Sequence, residues 1–546
     1  MRKILQLFLV AFLFILVIEV QGQITLVKDI NPTVGSFAVG SSPQALTRIN
    51  NKVVFRADDG TFGSEPWVTD GTTNGTFLLK DIYVGTSNGV SDDFCRSGNY
   101  IYFSGYTADE GKELYRTDGT PEGTVMVTDL QSGIYNGLPP ITYLEDLNGT
   151  LFFVAQDGDF SVDQLWKTDG TESGTELVLD RESNLHITRF LTATSSGQLF
   201  FVTGNSLYDS DVWVTDGTTE GTHLVKNINS TGNYPPLQLI VMNDILYFAG
   251  YDANSGQGYY SLWRSDGTEQ GTYIVKPNLY LEADLTLPNQ KAVVFDNKLY
   301  FSANGSSSNG FELWTSDGTE EGTYMVKDIY EGPNWSNCDY LTVAGNQLFF
   351  SATSYYEETE LWVTNGTEAG THLVKDIHYN SSLPRWLTAA GNDVYFSARD
   401  DDHGFELWTS DGTEEGTYMI EDLNTNGSSS PGRMILLNNS LLFSAADVAH
   451  GQELWKLDNV LGIEDSYVKD KVTVYPNPAG SELNIKLPSN GQFSCQVVNE
   501  LGQVMITSER ATMETKVDVS TLAKGMYILV VNMAEGKTYQ HKFVKQ

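Results

Sequence analysis

Apolar and polar positions alternate in short runs along most of this chain, and the runs recur in register. The stretch Phe311 to Ile329, FELWTSDGTEEGTYMVKDI, returns with small changes from one end almost to the other. Its aromatic position maps the recurrence at Trp67, Tyr115, Trp166, Trp213, Trp263, Trp314, Trp362, Trp408 and Trp455, with spacings between 46 and 51 residues. A period of that length marks a repeat architecture. Each repeat holds four runs rich in β-branched and aromatic residues, divided by Gly, Asn and Asp, the pattern of strands joined by turns. In the sixth repeat the predicted strands are Ala292 to Asp296, Leu299 to Ala303, Phe311 to Ser316 and Thr323 to Ile329, here termed A to D. A short polar turn such as Asn438-Asn439 joins A to B, and the DGTxxGT stretch joins C to D. A longer loop, as at Asn424 to Pro431, crosses from D to the next A. Each repeat is thus one small antiparallel sheet.

In Glu312-Leu313-Trp314 the Leu and Trp are adjacent and so point to opposite faces, and Leu299-Tyr300-Phe301 behaves likewise. A small sheet that is apolar on both faces needs a neighbour on each side, a need met by radial stacking in a β-propeller. The ends of the array complete each other. Ile24 to Ile30 is a D strand with no A, B or C before it, whereas Met434 to Asn438, Leu441 to Ala445 and Glu453 to Leu457 supply A, B and C with no D after them. An open stack would carry polar caps instead. The expectation is an all-β protein: a propeller of about nine blades over residues 23–458, closed by the N-terminal strand, with a small C-terminal β-sandwich after it.

Two ends of the chain read differently. Met1 to Gly22 has the form of a secretory signal, with Arg2 and Lys3 ahead of the apolar run Ile4 to Ile18 and a cut predicted between Gly22 and Gln23. That run is shorter than the ~20 residues of a spanning helix, so no membrane span is expected after its removal. Periodicity stops at Asp458, a polar linker covers 459–471, and residues 472–546 carry their own alternating runs, suiting a sandwich.

Charge sharpens the division. The chain holds 33 basic and 70 acidic side chains, a net −37. Residues 471–546 hold eight basic against six acidic and residues 1–22 two against one, leaving 23 against 63, about −40, between them. An acidic surface of that size repels phosphate backbones and argues against nucleic acid as a partner. Cys95, Cys338 and Cys495 share no spacing, which supports neither a disulfide framework nor a thiolate zinc site; buried, inert thiols are expected.

The repeat ELWxTDGTxxGTxLVKDI resembles the ELWxxDGT repeat of exported bacterial proteins, sometimes labelled hyalin-like. That family's role is loosely defined, so the resemblance implies architecture more than activity. Tyr115 for Trp, Pro66 for Leu and Asn365 for Asp are departures from it. In the tail, Val474-Tyr475-Pro476-Asn477-Pro478, Asn499 to Gln503, Leu522 to Tyr527 with Gly525, and Lys542 to Lys545 resemble the type A C-terminal sorting domain of the type IX secretion system of Bacteroidota. The resemblance implies the type IX machinery as a partner and passage through the outer membrane, followed by attachment or release.

Candidate chemistry is sparse. Asp70, Asp118, Asp169, Asp216, Asp266, Asp317 and Asp411 each precede Gly-Thr. Asp accepting from the backbone two residues on, Gly allowing positive φ and Thr capping explain that triplet as a turn rather than as a ligand loop. The B to C loops hold acidic clusters, Asp58 with Asp59 and Asp400, Asp401 and Asp402, which are the candidates for a divalent cation against a reading as solvated loops. No cofactor is assigned; calcium is the one these loops leave open. His403 and His450 sit at matching points of the last two repeats, which fits turn structure better than a metal pair. There is no phosphate loop, HExxH or GxSxG. The expectation is a non-catalytic surface or secreted binding protein, with an extracellular glycan or protein as ligand. The alternative is an extracellular hydrolase or lyase using a carboxylate pair on the propeller face.

Overall fold

The computed structural model describes residues 23–545 except 34–38, 91–93, 131–140, 157–162, 180–185, 205–209, 229–234, 252–259, 282–290, 306–307, 356–357, 462–472, 476–478, 487–491, 500–503, 513 and 534–537. The signal segment with Gly22, most of the linker, and Pro476, Asn477 and Pro478 of the sorting motif lie outside the described residues.

Strand and turn chemistry place the chain in an all-β fold. Among the described residues the repeats form nine antiparallel sheets in the order A-B-C-D, the sixth with an added short strand, Tyr280–Leu281, also paired to B, an arrangement that fits a propeller. In the seventh repeat the strands are Asp339–Ala344, Gln347–Ser354, Glu358–Thr364 and His372–Lys375. One cross-strand pair recurs in every sheet: the B-strand Phe faces the C-strand aromatic, as Phe55 faces Trp67, Phe301 faces Trp314 and Phe350 faces Trp362. Such pairs are the unit of sheet stabilisation.

Each C strand is buried on both faces. Leu313 packs with Leu348, Phe350 and Trp362 of the following sheet, whereas Trp314 packs with Tyr247, Ala249 and Leu262 of the preceding one. The same division holds at the far end: Trp455 packs with Tyr395 and Leu407, and Leu454 packs with Val53, Phe55 and Trp67 of the first complete sheet. The sheets converge on their A strands. Asp339–Ala344 lies against Arg385–Ala390, that strand lies against Met434–Leu437, and Met434–Leu437 lies against Gln44–Ile49.

Strand Ile24–Lys28 is the fourth strand of the Trp455 sheet. It pairs antiparallel with Gly451–Asp458, Ile24 opposite Leu457 and Leu26 opposite Trp455, with a bulge at Val27. The tail has two further sheets, Thr473–Tyr475 with Glu482–Lys486 and Glu514–Asp518, and a four-stranded one from Val504–Thr512, Gln492–Asn499, Gly525–Met533 and Thr538–Lys545. They share one core around Leu483, Ile485, Phe493, Leu529 and Phe543.

The exchanged strand gives a direct test. Val27 is 2% exposed, between the last sheet and the first. Val27→Asp buries a carboxylate without a partner, and urea unfolding followed by Trp fluorescence is expected to show a loss of roughly 3 to 5 kcal/mol. A loss below about 0.5 kcal/mol, the range of surface substitutions, would remove this strand from the core.

Candidate functional site

The repeated motif is consumed by architecture. In every DGT turn the Asp carboxylate accepts from the Thr backbone and hydroxyl two residues on; for Asp317 the distances to Thr319 are 2.9 and 2.7 Å. Gly318 takes a left-handed φ of +91°, and a Cβ on Gly322 would lie 2.0 Å from Asp317 Oδ1, so both glycines are needed. Ser316 and Thr323 share a buried hydroxyl contact of 2.7 Å below the turn. From the D strand, Lys327 donates to the Thr371 carbonyl of the next turn at 3.0 Å, and Lys28 of the exchanged strand donates likewise to Thr76 at 2.7 Å. Asp70, Asp169, Asp216, Asp266 and Asp317 are held below the usual carboxylate range, chiefly by the Thr hydroxyl each accepts from.

The Glu of ELW has an architectural role that the sequence did not reveal. Glu65, Glu312, Glu360, Glu406 and Glu453 are fully buried at 0% exposure, and each accepts from the crossing loop of its own repeat. Glu406 accepts from Ser429 N at 2.7 Å, from Ser429 Oγ at 2.5 Å and from Leu423 N at 3.2 Å. Glu360 holds Ser382 through both its N–H and its hydroxyl. Glu453 treats the N-terminal segment as its crossing loop, accepting from Asn31 N and Ser41 N at 3.0 Å each. The pinned loop then accepts from strand B of the next sheet: Thr353 N donates to Ser336 O at 2.7 Å and Arg399 N to Ser382 O at 3.0 Å. Burial pushes Glu65, Glu312, Glu360 and Glu406 up to about 7, against the opposing pull of these backbone donors.

Repeat symmetry breaks on the rim formed by the crossing loops and the B to C loops, and on the adjoining ends of the A strands. In several repeats an extra residue bulges strand A: Asp339 pairs with Ser351 but Thr342 with Phe349. The bulged residue adopts a left-handed backbone although it is not Gly, at Ala45 (φ 55°), Tyr143 (51°), Phe190 (65°), Tyr340 (56°) and Trp386 (58°). Bulky side chains rarely take that conformation, and such strain collects at functional sites. Tyr340 and Trp386 meet edge to face at 5.8 Å, and Arg433, at the corresponding place of the ninth repeat, lies 5.3 Å from the Trp386 ring. Arg385 stacks on Phe405 at 3.9 Å.

Outside this tract the crossing loops, and the B to C loop of the seventh repeat, carry exposed aromatic rings. Trp335 is 52% exposed and stands 5.0 Å from Phe311; Tyr355 is 67% exposed and stands 6.1 Å from Tyr330. Tyr379, 71% exposed, stacks on His378 at 5.3 Å. These residues fall outside the repeat consensus. The signal in the sequence was their irregularity, exposed aromatic residues at loop positions where the other repeats share no residue type.

The acidic clusters are engaged locally. Asp58 accepts from Gly60 N at 2.7 Å, Asp59 from Thr61 and Phe62 N at 2.8 and 2.9 Å, and Asp400 from His403 N at 2.8 Å. Asp401 faces His378 at 3.5 Å, and the Asp402 N–H donates to Asp400 at 3.0 Å. His403 and His450 each contact the Asp three residues before them, Asp400 and Asp447, at 2.8 Å. Among the described residues no three His, Cys, Asp or Glu side chains gather as a metal-binding group. Cys338 and Cys495 are buried, but Cys95 is only partly so, a correction to the expected burial, because it sits on a short A strand. Desolvation, then Glu145 and Asp146, pushes its thiol up to about 12. In the tail Tyr527 is buried against Phe543 and its hydroxyl donates to Ala523 O at 3.1 Å.

Residues 473–546 match the family described as the Secretion system C-terminal sorting domain. These residues are a type IX sorting domain, so the protein is exported to the cell surface or the medium. The tail is also similar to that of β-agarase D from Zobellia galactanivorans, 39% identical over 75 residues that make up 14% of this chain and 15% of that protein. Solved structures with partial overlap include puromycin hydrolase, at 13% identity, TM-score 0.37, and coverage of 69% of this chain and 60% of that one. A puromycin-hydrolyzing peptidase from Mycobacterium tuberculosis overlaps at 13% identity and TM-score 0.37, covering 65% and 57%. The chain therefore spans less than two thirds of each of these proteins, and overlap this slight bears on no activity. Among the described residues no helix is long and apolar enough to cross a membrane.

The buried glutamates set the pH response. Their folded pKa values, about 7, lie above the ordinary 4.5, so their stabilisation is complete below 4.5 and is lost as pH rises through 7. The turn aspartates are lowered from 3.8, so theirs is present above that value and lost in stronger acid. Thermal melts are expected to peak in mild acid and fall between pH 5 and pH 8, and Glu406→Gln with Glu360→Gln should flatten that fall. Equal melting temperatures at pH 5 and 8 would contradict the burial argument.

Proposed function

We propose that the exported protein is a nine-bladed β-propeller, closed by exchange of its N-terminal strand, that binds an extracellular glycan without catalysing its cleavage. The propeller spans residues 23–458 and belongs with the ELWxxDGT repeats; 1–22 is the export signal, 459–471 the linker and 472–546 the sorting domain. In favour of closure are the pairing of Leu26 with Trp455, the A-strand contact between Met434–Leu437 and Gln44–Ile49, and the hold of Glu453 on Asn31 and Ser41. The first and third are contacts that other repeats make within themselves, and the second is the contact made between consecutive repeats.

The observation that carries binding is the set of exposed rings on successive loops of one rim, Trp335, Tyr355 and Tyr379. Large rings left in water rim an interaction site, and their flat apolar faces suit the C–H face of a sugar. The repeat motif supports a non-catalytic role because its Asp and Glu carboxylates already serve turns and loops. Adhesion follows from display of such a rim at the cell surface.

The test is a glycan array probed with the exported protein, followed by titration of the best-bound glycan. Trp335→Ala and Tyr379→Ala are each expected to weaken binding about tenfold, the loss of an interface residue worth over 1 kcal/mol. Melting temperature should stay unchanged. Undiminished binding by both variants, or turnover of the glycan by the parent protein, would overturn the reading. Calcium is not required in it: the carboxylates of Asp58, Asp59 and Asp400 cap their own loops, and EDTA is expected to leave the melting temperature within about 1 °C.

A further inference from the structure

Two arginines, Arg385 at the start of one convergent strand and Arg433 just before another, stand apart from the acidic protein around them. Arg385 is half-buried, 3.9 Å over the Phe405 ring, and its Nε is buried with no hydrogen-bond partner. Arg433 is exposed beside the Trp386 ring at 5.3 Å. Arg399, 5.8 Å from Phe405, spends its Nε on Ser381 O at 2.9 Å. Neither Arg385 nor Arg433 makes an ion pair with a carboxylate among the described residues, in a chain with 70 acidic side chains and 33 basic ones. Asp339, at the start of the neighbouring A strand, is taken by Lys291 at 3.4 Å. Desolvation holds the Arg385 guanidinium below its ordinary pKa, against the opposing pull of Tyr340.

A buried guanidinium donor left without an acceptor is costly, and arginine forks match planar or tetrahedral oxyanions. Trp386, next to Arg385 and left-handed at φ 58°, sets its ring 5.8 Å from Tyr340 and 5.3 Å from Arg433, and Tyr340 feels the charge of both arginines. We infer that Arg385 and Arg433, with Trp386 and Tyr340, form a subsite for one anionic oxygen group, a carboxylate or a sulfate ester, carried on the sugar that the rim binds. This rests on the glycan-binding reading and deepens it to an acidic glycan. The negative field of the whole protein is screened beyond about 8 Å at physiological salt, so the local pair governs a group at contact distance. A single anionic group spaced along a mostly neutral chain fits this better than a dense polyanion, which the surrounding acid would repel.

The probes are three trisaccharides of equal length: one bearing a uronate, one a sulfate ester and one neutral. Each is titrated against the full exported chain at fixed ionic strength with Trp fluorescence as readout. The parent should bind at least one acidic probe about tenfold more tightly than the neutral one, the scale of a charged hydrogen bond. Arg433→Gln and Arg385→Gln should bring the ratio of acidic to neutral affinity down towards one, and Arg433→Lys should restore part of it. Trp335→Ala should weaken all three probes together. Comparison of the uronate and sulfate arms identifies the group. Equal binding of acidic and neutral probes by the parent overturns the subsite and leaves the glycan reading standing, as does a preference that survives in the Arg385→Gln, Arg433→Gln double variant with an unchanged melting temperature. Binding of no probe by the parent overturns both.

Discussion

A sheet of four short strands with leucine on one face and tryptophan on the other cannot stand alone in water. Leu313 needs the sheet after it and Trp314 the sheet before it, and every repeat imposes the same pair of needs. Burial of one large aromatic removes about 150 to 250 Å² from water, so these junctions dominate cohesion. Two-sided burial explains why Leu454 and Trp455 engage opposite neighbours and why the last sheet lies against the first. The missing fourth strand follows from the same requirement: Ile24–Lys28 covers the outer edge of a sheet that would otherwise end in unpaired backbone.

Polar groups are arranged to serve that stacking. The crossing loop must pass between a C strand and the next B strand, where its backbone leaves water. A buried Glu on the C strand takes up those N–H groups, as Glu406 does for Ser429 and Leu423. Burial raises these acids to about 7, and the N–H donors limit the rise. The opposite rim works with exposed aspartates whose turn donors are local. In the sheets that carry both, such as that of Glu312 and Asp317, one end is therefore loosened as pH rises through about 7 and the other in strong acid, from the same motif.

With Glu, Leu, Trp, Asp, Gly, Thr and Lys all occupied in this way, whatever distinguishes this protein lies where the repeats differ. That is the rim of crossing loops and B to C loops, with Trp335, Tyr355 and Tyr379, and the adjoining ends of the A strands, with Tyr340, Trp386, Arg385 and Arg433. A repeat array offers one position many times and lets the residue there vary while the scaffold stays fixed. The left-handed bulge is the scaffold's part in this, and it recurs with Ala, Tyr, Phe and Trp alike.

Much of the fold is legible in the residues alone. Strand alternation, DGT turns, the orphan D strand and the sorting tail are set by neighbours a few positions apart, so a linear reading recovers them. The Glu of ELW could not be read in that way, because its partners are backbone groups such as Ile329, 17 residues on, and its burial depends on the next sheet. The left-handed conformation of Tyr340 and Trp386 carries no Gly or Asn to announce it. Tyr340, Trp386 and Arg433 are 46 and 47 residues apart and meet only because consecutive sheets converge on their A strands. Local geometry was written in the sequence; charge burial and the meeting of distant side chains were decided by packing, which sets the dielectric and the distances on which both depend.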